Sequence, residues 1–494
     1  MALSLPSASV NRLLAQAQTS ERHEKPLRIM KFGGTSVADS QCIEKVLEII
    51  HRSLGSANVL VVVSAMAGVT DLLIQAGERS AVGDSETVSK VFTTLRQKHE
   101  AAARLLIHSR SSREQVEYIF QQRLLEGRRY CEEISRARQL TPGASDLISS
   151  LGERLSAPLV AAALADRGVP SEAVDATECI VTDAHHGSAN PSIDLTRGCC
   201  ESRLRPMLRQ GAVAVVTGFL AATVDGTVTT LGRGGSDYSA TILGAALNAH
   251  EVIIWTDVNG VLTCDPRAVP HATTIPKISY RQAAALAYFG AKVLHPKTLH
   301  PVIQRGIPVW IRNTFAPDHG GTEVTLEEET TVGPAAKALS AVTDVTSITI
   351  TASSIDKVPE LTHRVSVAIT AARADLLSIF QTSSPLEIGI AIRSSLVART
   401  KEALRNDLVA DGKHNDVRTV AFRDELALVT VVGQNMSETS DIVATAFGAL
   451  GRERLEILGS SRGSSDHNFS FLINLSQTRK ALKILHQELH LGPP

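Results

Sequence analysis

The sequence of 494 residues has few aromatic residues, no excess of either charge and no long uninterrupted apolar run. Aromatic residues make up 4% of the chain, which leaves little material for stacking nucleic-acid bases. Fifty basic and fifty-one acidic residues give a formal net charge of -1, whereas a sequence-independent nucleic-acid binder needs a basic excess. No window reaches the roughly 18 apolar residues of a membrane helix. We therefore expect neither a nucleic-acid nor a membrane partner.

The six cysteines also lack a functional pattern. None forms a C-x-x-C pair, and no histidines stand at zinc-finger spacing. Unpatterned thiols are typical of a reducing compartment, so we expect a cytoplasmic protein. Residues 1–27 lack the apolar region of a secretory signal and are predicted to form a poorly ordered extension. At about 150 residues per domain, the length predicts roughly three domains.

Short apolar runs alternate with helical patterns over the first two thirds of the chain. The longest helical pattern covers residues 84–137, where apolar residues recur every three or four positions. The alternation predicts an α/β domain with a mainly parallel sheet. Five runs predict strands, several of them buried on both faces: Arg28–Phe32, Val59–Val63, Ala212–Val216, Val252–Trp255 and Val309–Ile311.

A change in composition separates this region from an internal repeat. Residues 316–338 contain glycine, proline and an acidic triplet and predict a linker. Beyond it, Val345–Thr351 is echoed by Leu426–Val432, 81 residues later. Each copy is predicted to run strand, helix, strand, helix. A duplicated oligomerisation module and a pair of ligand sensors both fit this pattern.

Two glycine-rich segments lie where a strand gives way to a helix. In Lys31–Ser36 two glycines let backbone N–H groups approach an anion, and the lysine can act as a point charge on a phosphate. The spacing is not that of a P-loop. In Gly232–Asp237 an arginine fork, suited to a carboxylate or a phosphate, precedes a helix predicted at Ala240–Ala246. Ordinary turns are the alternative, but two such segments in one domain favour two anions held against each other.

Four further segments carry polar groups whose individual interpretation stays open. A glutamate at a helix start, such as Glu153, is more often favoured by the helix dipole than used as a ligand. The charges of the other segments are plausible surface charges when taken singly. The segments are Ser64–Thr70, Gly152–Arg154, Trp255–Arg267 and Gly290–Pro296.

Taken together and in this order, these motifs resemble those of the aspartate kinases. The resemblance runs from about Arg28 to Val324 and, more loosely, through both repeats. It implies an α/β fold, namely the amino-acid kinase αβα sandwich with a mainly parallel central sheet, followed by two α+β ACT domains of the ferredoxin-like type. The implied boundaries are an extension at 1–27, a catalytic domain at 28–325, a linker at 326–340, and ACT domains at 341–424 and 425–494.

The resemblance implies transfer of the ATP γ-phosphoryl group to the β-carboxylate of L-aspartate, the first step toward lysine, threonine and methionine. A carboxylate is already ionised at neutral pH, so no general base is needed. Lys31, with backbone donors of Gly33 and Gly34, is implied to hold the phosphate, and Asp237 to organise it. Arg233 is implied to bind the α-carboxylate of aspartate, and Glu153 its ammonium group. Hydroxyl groups around the substrate are implied for Ser64, Thr70 and Ser236.

Nucleotide binding and regulation are implied more loosely. The matching nucleotide positions are Thr256, Asp257, Arg267 and Lys292, while Leu262 replaces a frequent aromatic residue. Mg²⁺ accompanies ATP, and no protein ligand is assigned to it. Lysine or threonine is the implied effector, although residues 351–359 lack the family's glycine and Pro385 replaces a common acidic residue. The implied regulatory residues are Gln381, Thr382, Gly433, Asn435, Met436, Ser464 and Asp466.

A homodimer or a homotetramer formed through the ACT domains is the expected assembly. Two alternatives remain for the activity. One is an amino-acid kinase of the same fold that acts on glutamate or N-acetylglutamate. The other is a catalytically silent ACT sensor, which the presence of Lys31, Arg233 and Asp237 disfavours.

Overall fold

The computed structural model describes residues 25–291, 294–326, 336–381, 384–408, 417–434, 440–462 and 467–492. Several predicted residues lie outside these ranges, namely Lys292, Thr382, Asn435, Met436, Ser464 and Asp466, as does most of the predicted extension. The chain divides into two compact units, Met1–Trp255 and Thr256–Pro494.

The first unit contains a parallel sheet of five strands in the order β3-β4-β2-β1-β7. The side chains of β4 are all buried, as expected for a strand covered on both faces. The remaining two strands, β5 and β6, form an antiparallel hairpin. The strands are β1 (Leu27–Phe32), β2 (Asn58–Val63), β3 (Ser171–Val174), β4 (Val213–Thr217), β5 (Leu220–Ala222), β6 (Val228–Thr230) and β7 (Glu251–Thr256).

The helices of the first unit confirm most of the predicted pattern and correct two details. They are α1 (Ser40–Leu54), α2 (Val69–Ala81), α3 (Ser85–Leu106), α4 (Arg110–Ala137), α5 (Pro142–Ser149), α6 (Leu151–Asp166), α7 (Ile193–Arg203), α8 (Arg205–Arg209) and α9 (Gly235–Leu247). The helical pattern over 84–137 is two helices, because Asp166 accepts the N–H groups of His108 and Ser109 between them. The helix predicted at 240–246 begins five residues earlier, at Gly235.

The stretch Pro142–Asp166 is long and apolar enough, by composition alone, to cross a membrane. However, 83% of its most apolar window is buried inside the protein. It consists of α5 and α6, and most residues of α6 are buried. Packing inside the first unit therefore accounts for its apolar character.

The second unit begins with a small group of strands and two helices. Strands β8 (Lys277–Ser279), β9 (Val309–Asn313) and β10 (Thr322–Thr325) lie in the order β9-β10-β8. Between β8 and β9 are α10 (Tyr280–Tyr288) and α11 (Pro296–Ile303). A full capping box between Ser279 and Gln282 fixes the start of α10.

An antiparallel sheet of six strands follows, in the order β12-β13-β11-β14-β16-β15. It contains both copies of the repeat. The first copy consists of β11 (Ala336–Ala352), α12 (Val358–Ala371), β12 (Leu376–Gln381), β13 (Glu387–Arg393) and α13 (Val397–Leu408). The second consists of β14 (Val417–Gly433), α14 (Ser440–Arg452), β15 (Ile457–Arg462), β16 (Asn468–Asn474) and α15 (Thr478–Glu488).

The predicted repeat of 81 residues is confirmed, since all three strands of the second copy begin 81 residues after their counterparts. Each copy contains one strand more than predicted, because β12 and β13 form a hairpin, as do β15 and β16. The long strands β11 and β14 pair with each other, so the two copies share one sheet. Strand β11 already begins at Ala336, inside the predicted linker 326–340.

Candidate active site

The predicted motifs of the first unit meet at one edge of the parallel sheet. Phe32, the last residue of β1, lies opposite Val63 in β2 and Trp255 in β7. Val63 in turn lies opposite Thr217, the last residue of β4. The loops that follow these strands therefore start side by side, as expected at the carboxyl ends of parallel strands, where ligands bind in open α/β sheets.

Lys31 and Asp237 form an ion pair at this edge. The Lys31 Nζ lies 2.5 Å from an Asp237 carboxylate oxygen, and both side chains are largely buried. Asp237 occupies the first turn of α9, whose N-cap Gly234 adopts a left-handed conformation with φ of 70°. The ammonium group of Lys31 thus lies near the amino terminus of a helix, where an anion is also stabilised.

The two glycines after β1 serve different purposes. A Cβ at Gly33 would lie 3.3 Å from the Lys31 Nζ, and a Cβ at Gly34 would lie 3.2 Å from the Ala65 carbonyl oxygen. Glycine therefore leaves space beside the lysine and lets the two loops approach. In this structure the Gly33 N–H donates to the Trp255 carbonyl at 3.1 Å, and its role as a phosphate donor stays a prediction.

Glu153 is a buried carboxyl group with one unsatisfied oxygen. It is 3% exposed, and its Oε1 accepts the Ala65 N–H at 3.0 Å. Among the described residues its Oε2 has no hydrogen-bond partner. Burial raises the pKa of Glu153 to about 8, and the Ala65 N–H opposes this only in part. A cation that binds beside this group would stabilise its ionised form.

The position of Glu153 depends on close packing of α6 against the loop after β2. A Cβ at Gly152 would lie 2.6 Å from the Ala65 Cβ, so only glycine permits this approach. Ser156, three residues after Glu153, donates to the Ser64 carbonyl at 2.7 Å. Sequence reasoning missed Ser156, although its spacing places it on the same helix face as Glu153.

The second glycine-rich segment forms the turn before α9. Gly232 and Gly234 adopt φ of 79° and 70°, and the exposed Arg233 lies between them. Ser236 is buried against Gly218, where a Cβ would come within 2.7 Å of its hydroxyl.

Two predicted hydroxyl residues, Ser64 and Thr70, lie in the loop after β2 and at the start of the helix that follows it. Ser64 follows β2 directly and is half-buried, and Thr70 is half-buried in the first turn of α2. The Gly218 N–H donates to the Val63 carbonyl, next to Ser64. Since Ser236 packs against Gly218, the structure brings Ser64 and Ser236 to neighbouring positions.

The predicted nucleotide residues belong to the second unit. The Thr256 hydroxyl donates to Asp257 at 3.1 Å. The guanidinium of Arg267 is exposed and forms a fork with the Asp265 carboxylate, at 2.6 to 3.2 Å. Sequence reasoning named Asp265 only as a surface charge. In this structure Asp265 holds Arg267 within its own loop.

Two predicted regulatory residues, Gly433 and Gln381, lie in the described part of the chain. The Gly433 N–H donates to the His467 carbonyl, and its own carbonyl accepts from Gln282 Nε2 at 3.2 Å. Gln282 also accepts the Ser279 N–H, so its side chain joins the start of α10 to the end of β14. The backbone of Gln381 ends β12.

Comparison with known proteins agrees with this architecture. Residues 26–313 match the amino acid kinase family, and residues 429–489 match an ACT domain. The lysine-sensitive aspartokinase 3 of Escherichia coli is 33% identical over 462 residues, which cover 93% of this chain and 98% of that protein. The crystal structure of E. coli aspartokinase III with aspartate and ADP superposes with a TM-score of 0.79 at 30% identity, covering 94% of this chain and all of that one.

Other matches are longer proteins. The chain spans about half the length of several bifunctional aspartokinase/homoserine dehydrogenases; in that of Haemophilus influenzae it is 28% identical and covers 56% of the relative. A second E. coli aspartokinase III structure, with lysine and aspartate, has a TM-score of 0.75 at 30% identity, covering 94% of this chain and 99% of that one. The match over more than half of this chain, and over nearly all of the E. coli relative, shows that the chain belongs to the amino acid kinase family, among the aspartokinases that carry an ACT region.

Proposed function

We propose that this chain is an aspartate kinase, which transfers the γ-phosphoryl group of ATP to the β-carboxylate of L-aspartate and forms 4-phospho-L-aspartate. The observation that carries the proposal is the pairing of Lys31 with Asp237 beside the loop that covers Glu153. Lys31, held by Asp237, supplies a fixed positive charge for a phosphate. Glu153 supplies a buried carboxylate partner for an ammonium ion. The product would enter lysine, threonine and methionine synthesis in the cytoplasm.

In the proposed reaction the chain positions groups and neutralises charge, with no proton to remove from the nucleophile. The β-carboxylate of aspartate is ionised at neutral pH. Lys31 attracts the transferring phosphate oxygens, and Asp237 keeps its ammonium group in place. Glu153 binds the substrate ammonium, Arg233 its α-carboxylate, and the hydroxyls of Ser64, Thr70 and Ser236 complete the polar surface.

The proposed nucleotide is ATP with Mg²⁺. Thr256, Asp257, Arg267 and Lys292 are its proposed contacts. Over the described ranges, no three His, Cys, Asp or Glu side chains converge as a metal site would require. Mg²⁺ bound with a nucleotide is usually held by phosphate oxygens and water, and we propose that mode here. The ion would neutralise phosphate charge.

Charge and length distinguish two alternative substrates, N-acetylglutamate and glutamate, from aspartate. N-acetylglutamate has no ammonium group, so it would gain no ion pair with the buried Glu153, whose ionised form needs a cation beside it. Glutamate differs from aspartate by one methylene group, which such sites discriminate by about 10- to 200-fold. An ATP-dependent hydroxamate assay with the three acids tests the proposal. Activity on glutamate without activity on aspartate would overturn it.

Replacing Arg233 with alanine is expected to raise the KM for aspartate about 100-fold and to change the KM for ATP little, since a fork to a carboxylate is lost. Arg233→Lys keeps the charge without the fork and should fall between wild type and alanine. Steady-state kinetics with each substrate varied in turn measure both constants. A larger effect on the KM for ATP than on the KM for aspartate would place Arg233 at the phosphates instead.

We also propose that an amino acid regulates the enzyme through the antiparallel sheet of six strands that contains both repeats. Lysine is the first candidate for this effector and threonine the second. The proposed assembly is at least a homodimer. The loop that carries Arg267 supports this proposal. Its residues Cys264 and Val269 are part of one apolar core with Leu482 and Leu485 of α15. Strand β11 also binds this loop, because the Leu339 N–H donates to the Thr263 carbonyl at 2.7 Å. A shift of the sheet would therefore move the proposed nucleotide loop.

Millimolar lysine is expected to lower the activity, and Gln282→Glu to raise the half-inhibitory concentration about threefold or more. Glutamate keeps the acceptor for Ser279 but cannot donate to the Gly433 carbonyl. Activity without effector should stay unchanged in this variant. Activity that is indifferent to lysine, to threonine and to both together would contradict the effector proposal.

A further inference from the structure

A second buried carboxylate, Asp146 in α5, lies outside the groups discussed so far. It is 2% exposed. Its carboxylate receives the Thr230 hydroxyl at 2.5 Å and the Gly187 N–H at 3.1 Å to both oxygens. The His186 Nδ1 lies 2.8 Å from the second oxygen. All three neighbours are able to donate, and their donors come from two segments that are remote in sequence.

These contacts join three parts of the first unit. Asp146 lies in the helix that leads directly into α6 and therefore into Glu153. Gly187 belongs to the loop between β3 and α7, and Thr230 is the last residue of β6. Thr230 is followed after one residue by the turn of Gly232–Gly234, which carries Arg233. The carboxylate thus ties the Glu153 helix to the base of the Arg233 turn.

The loop around Gly187 also touches that turn directly. The Ala189 N–H donates to the Thr230 carbonyl at 2.9 Å. A Cβ at Gly232 would lie 2.8 Å from the Gly187 carbonyl oxygen, so the two backbones are in close contact. A change in the position of Gly187 would therefore displace the turn.

We propose that Asp146 is a positioning residue that holds the Arg233 turn at a fixed place relative to Glu153, and thereby selects substrates with a free α-carboxylate next to the ammonium group. The inference rests on the proposed aspartate kinase function and names a residue through which Arg233 is placed. An arginine on an exposed turn between two glycines needs such an external tie, since glycine leaves the backbone free.

A carboxylate suits this place better than an amide. Thr230 and Gly187 approach as donors, and an ionised carboxylate offers only acceptors. With its oxygen toward Thr230 and Gly187, an asparagine would offer the Gly187 N–H one acceptor instead of two. Its NH₂ group would face His186 Nδ1, where a donor is repelled unless the Nδ1 is the accepting nitrogen of the ring. A misplacement of about 1 Å at a binding group is enough to cost up to 100-fold in rate.

The test compares Asp146→Asn with wild type, using L-aspartate and its α-amide as alternative substrates. We expect the KM for aspartate to rise about tenfold in the variant, the KM for ATP to stay within twofold, and the preference for aspartate over the α-amide to fall about tenfold. Asp225→Asn is the matched control. Asp225 also bonds neighbouring threonines, in the β5–β6 hairpin, but touches neither α5 nor the turn.

A purely structural role would lower activity on aspartate and on the α-amide equally and leave their ratio unchanged, which would overturn the inference. An unchanged KM for aspartate would do the same. If Asp146→Asn does not fold, Thr230→Val and Thr230→Ser replace it, and only the serine, which keeps the hydroxyl, should retain the preference. Wild-type protein inactive on aspartate would instead contradict the proposed function.

Discussion

Replacing Lys31 with alanine is expected to lower kcat about 10³-fold, the usual loss when one positioned donor to a transition-state anion is removed. The physical reason is that the reaction requires no proton transfer from the nucleophile, so charge neutralisation carries most of the catalysis. The same substitution leaves the partly buried Asp237 without its cation and close to the phosphates. Its negative charge should add to the loss.

Two companion variants separate these contributions. Asp237→Asn keeps the volume and the lysine but removes the pairing charge, and we expect a smaller loss of kcat than for Lys31→Ala. The double variant should be no worse than Lys31→Ala alone, because the uncompensated carboxylate is then gone. The kcat values with saturating aspartate and ATP provide the measurement. Retention of a tenth or more of wild-type kcat by Lys31→Ala would contradict the role of this ion pair.

Replacing Glu153 with glutamine is expected to raise the KM for aspartate about 100-fold, since losing one member of a buried charge pair costs roughly 2 to 5 kcal/mol. The pH dependence of the KM for aspartate in the wild type should report the ionisation of Glu153. In the free protein Glu153 is neutral below its pKa of about 8, and binding of an ammonium ion requires the ionised form. The KM for aspartate should therefore fall about tenfold per pH unit as the pH rises toward 8, then level off.

Glutamine cannot ionise, so the dependence of the KM for aspartate on pH below pH 8 should disappear in Glu153→Gln.

The stability of the free protein offers an independent readout of the same ionisation. Glu153 has a raised pKa in the folded state, and so its contribution favours folding at low pH and is lost as the pH rises from the ordinary value of 4.5 to about 8. Thermal unfolding at several pH values should show that the Tm of the variant declines less over this range than the Tm of the wild type. An identical KM slope in both proteins would rule out Glu153 as the titrating group.

Much of the candidate site could be predicted from the sequence because its residues lie in short local patterns. The strand of Arg28–Phe32 and the two glycines after it predicted a junction between a strand and a helix, and the structure places Gly33 and Gly34 directly after β1 and before α1. The repeat was equally visible, since a duplicated structure keeps its spacing even where side chains differ. The break between α3 and α4 was not visible, because it depends on Asp166, more than fifty residues away.

The residues that sequence reasoning missed share one property: their partners are distant along the chain. Asp146 bonds to residues 40 to 84 positions away, and Ser156 to one 92 positions away. A single acidic residue or serine in a helix carries no pattern that indicates such a partner. The acceptor of the Gly33 N–H in this structure is likewise distant along the chain, in β7.

The sequence by itself determined the α/β character of the first region, the 81-residue repeat and the residue types available for binding phosphate and an amino acid, because these follow from local periodicity and composition. Only the tertiary structure decided which charges pair, which stay buried and unpaired, and which N–H groups remain available. Those outcomes depend on burial and on contacts between strands and loops far apart in sequence. The unsatisfied oxygen of Glu153 and the four contacts of Asp146 arise only when the chain is folded.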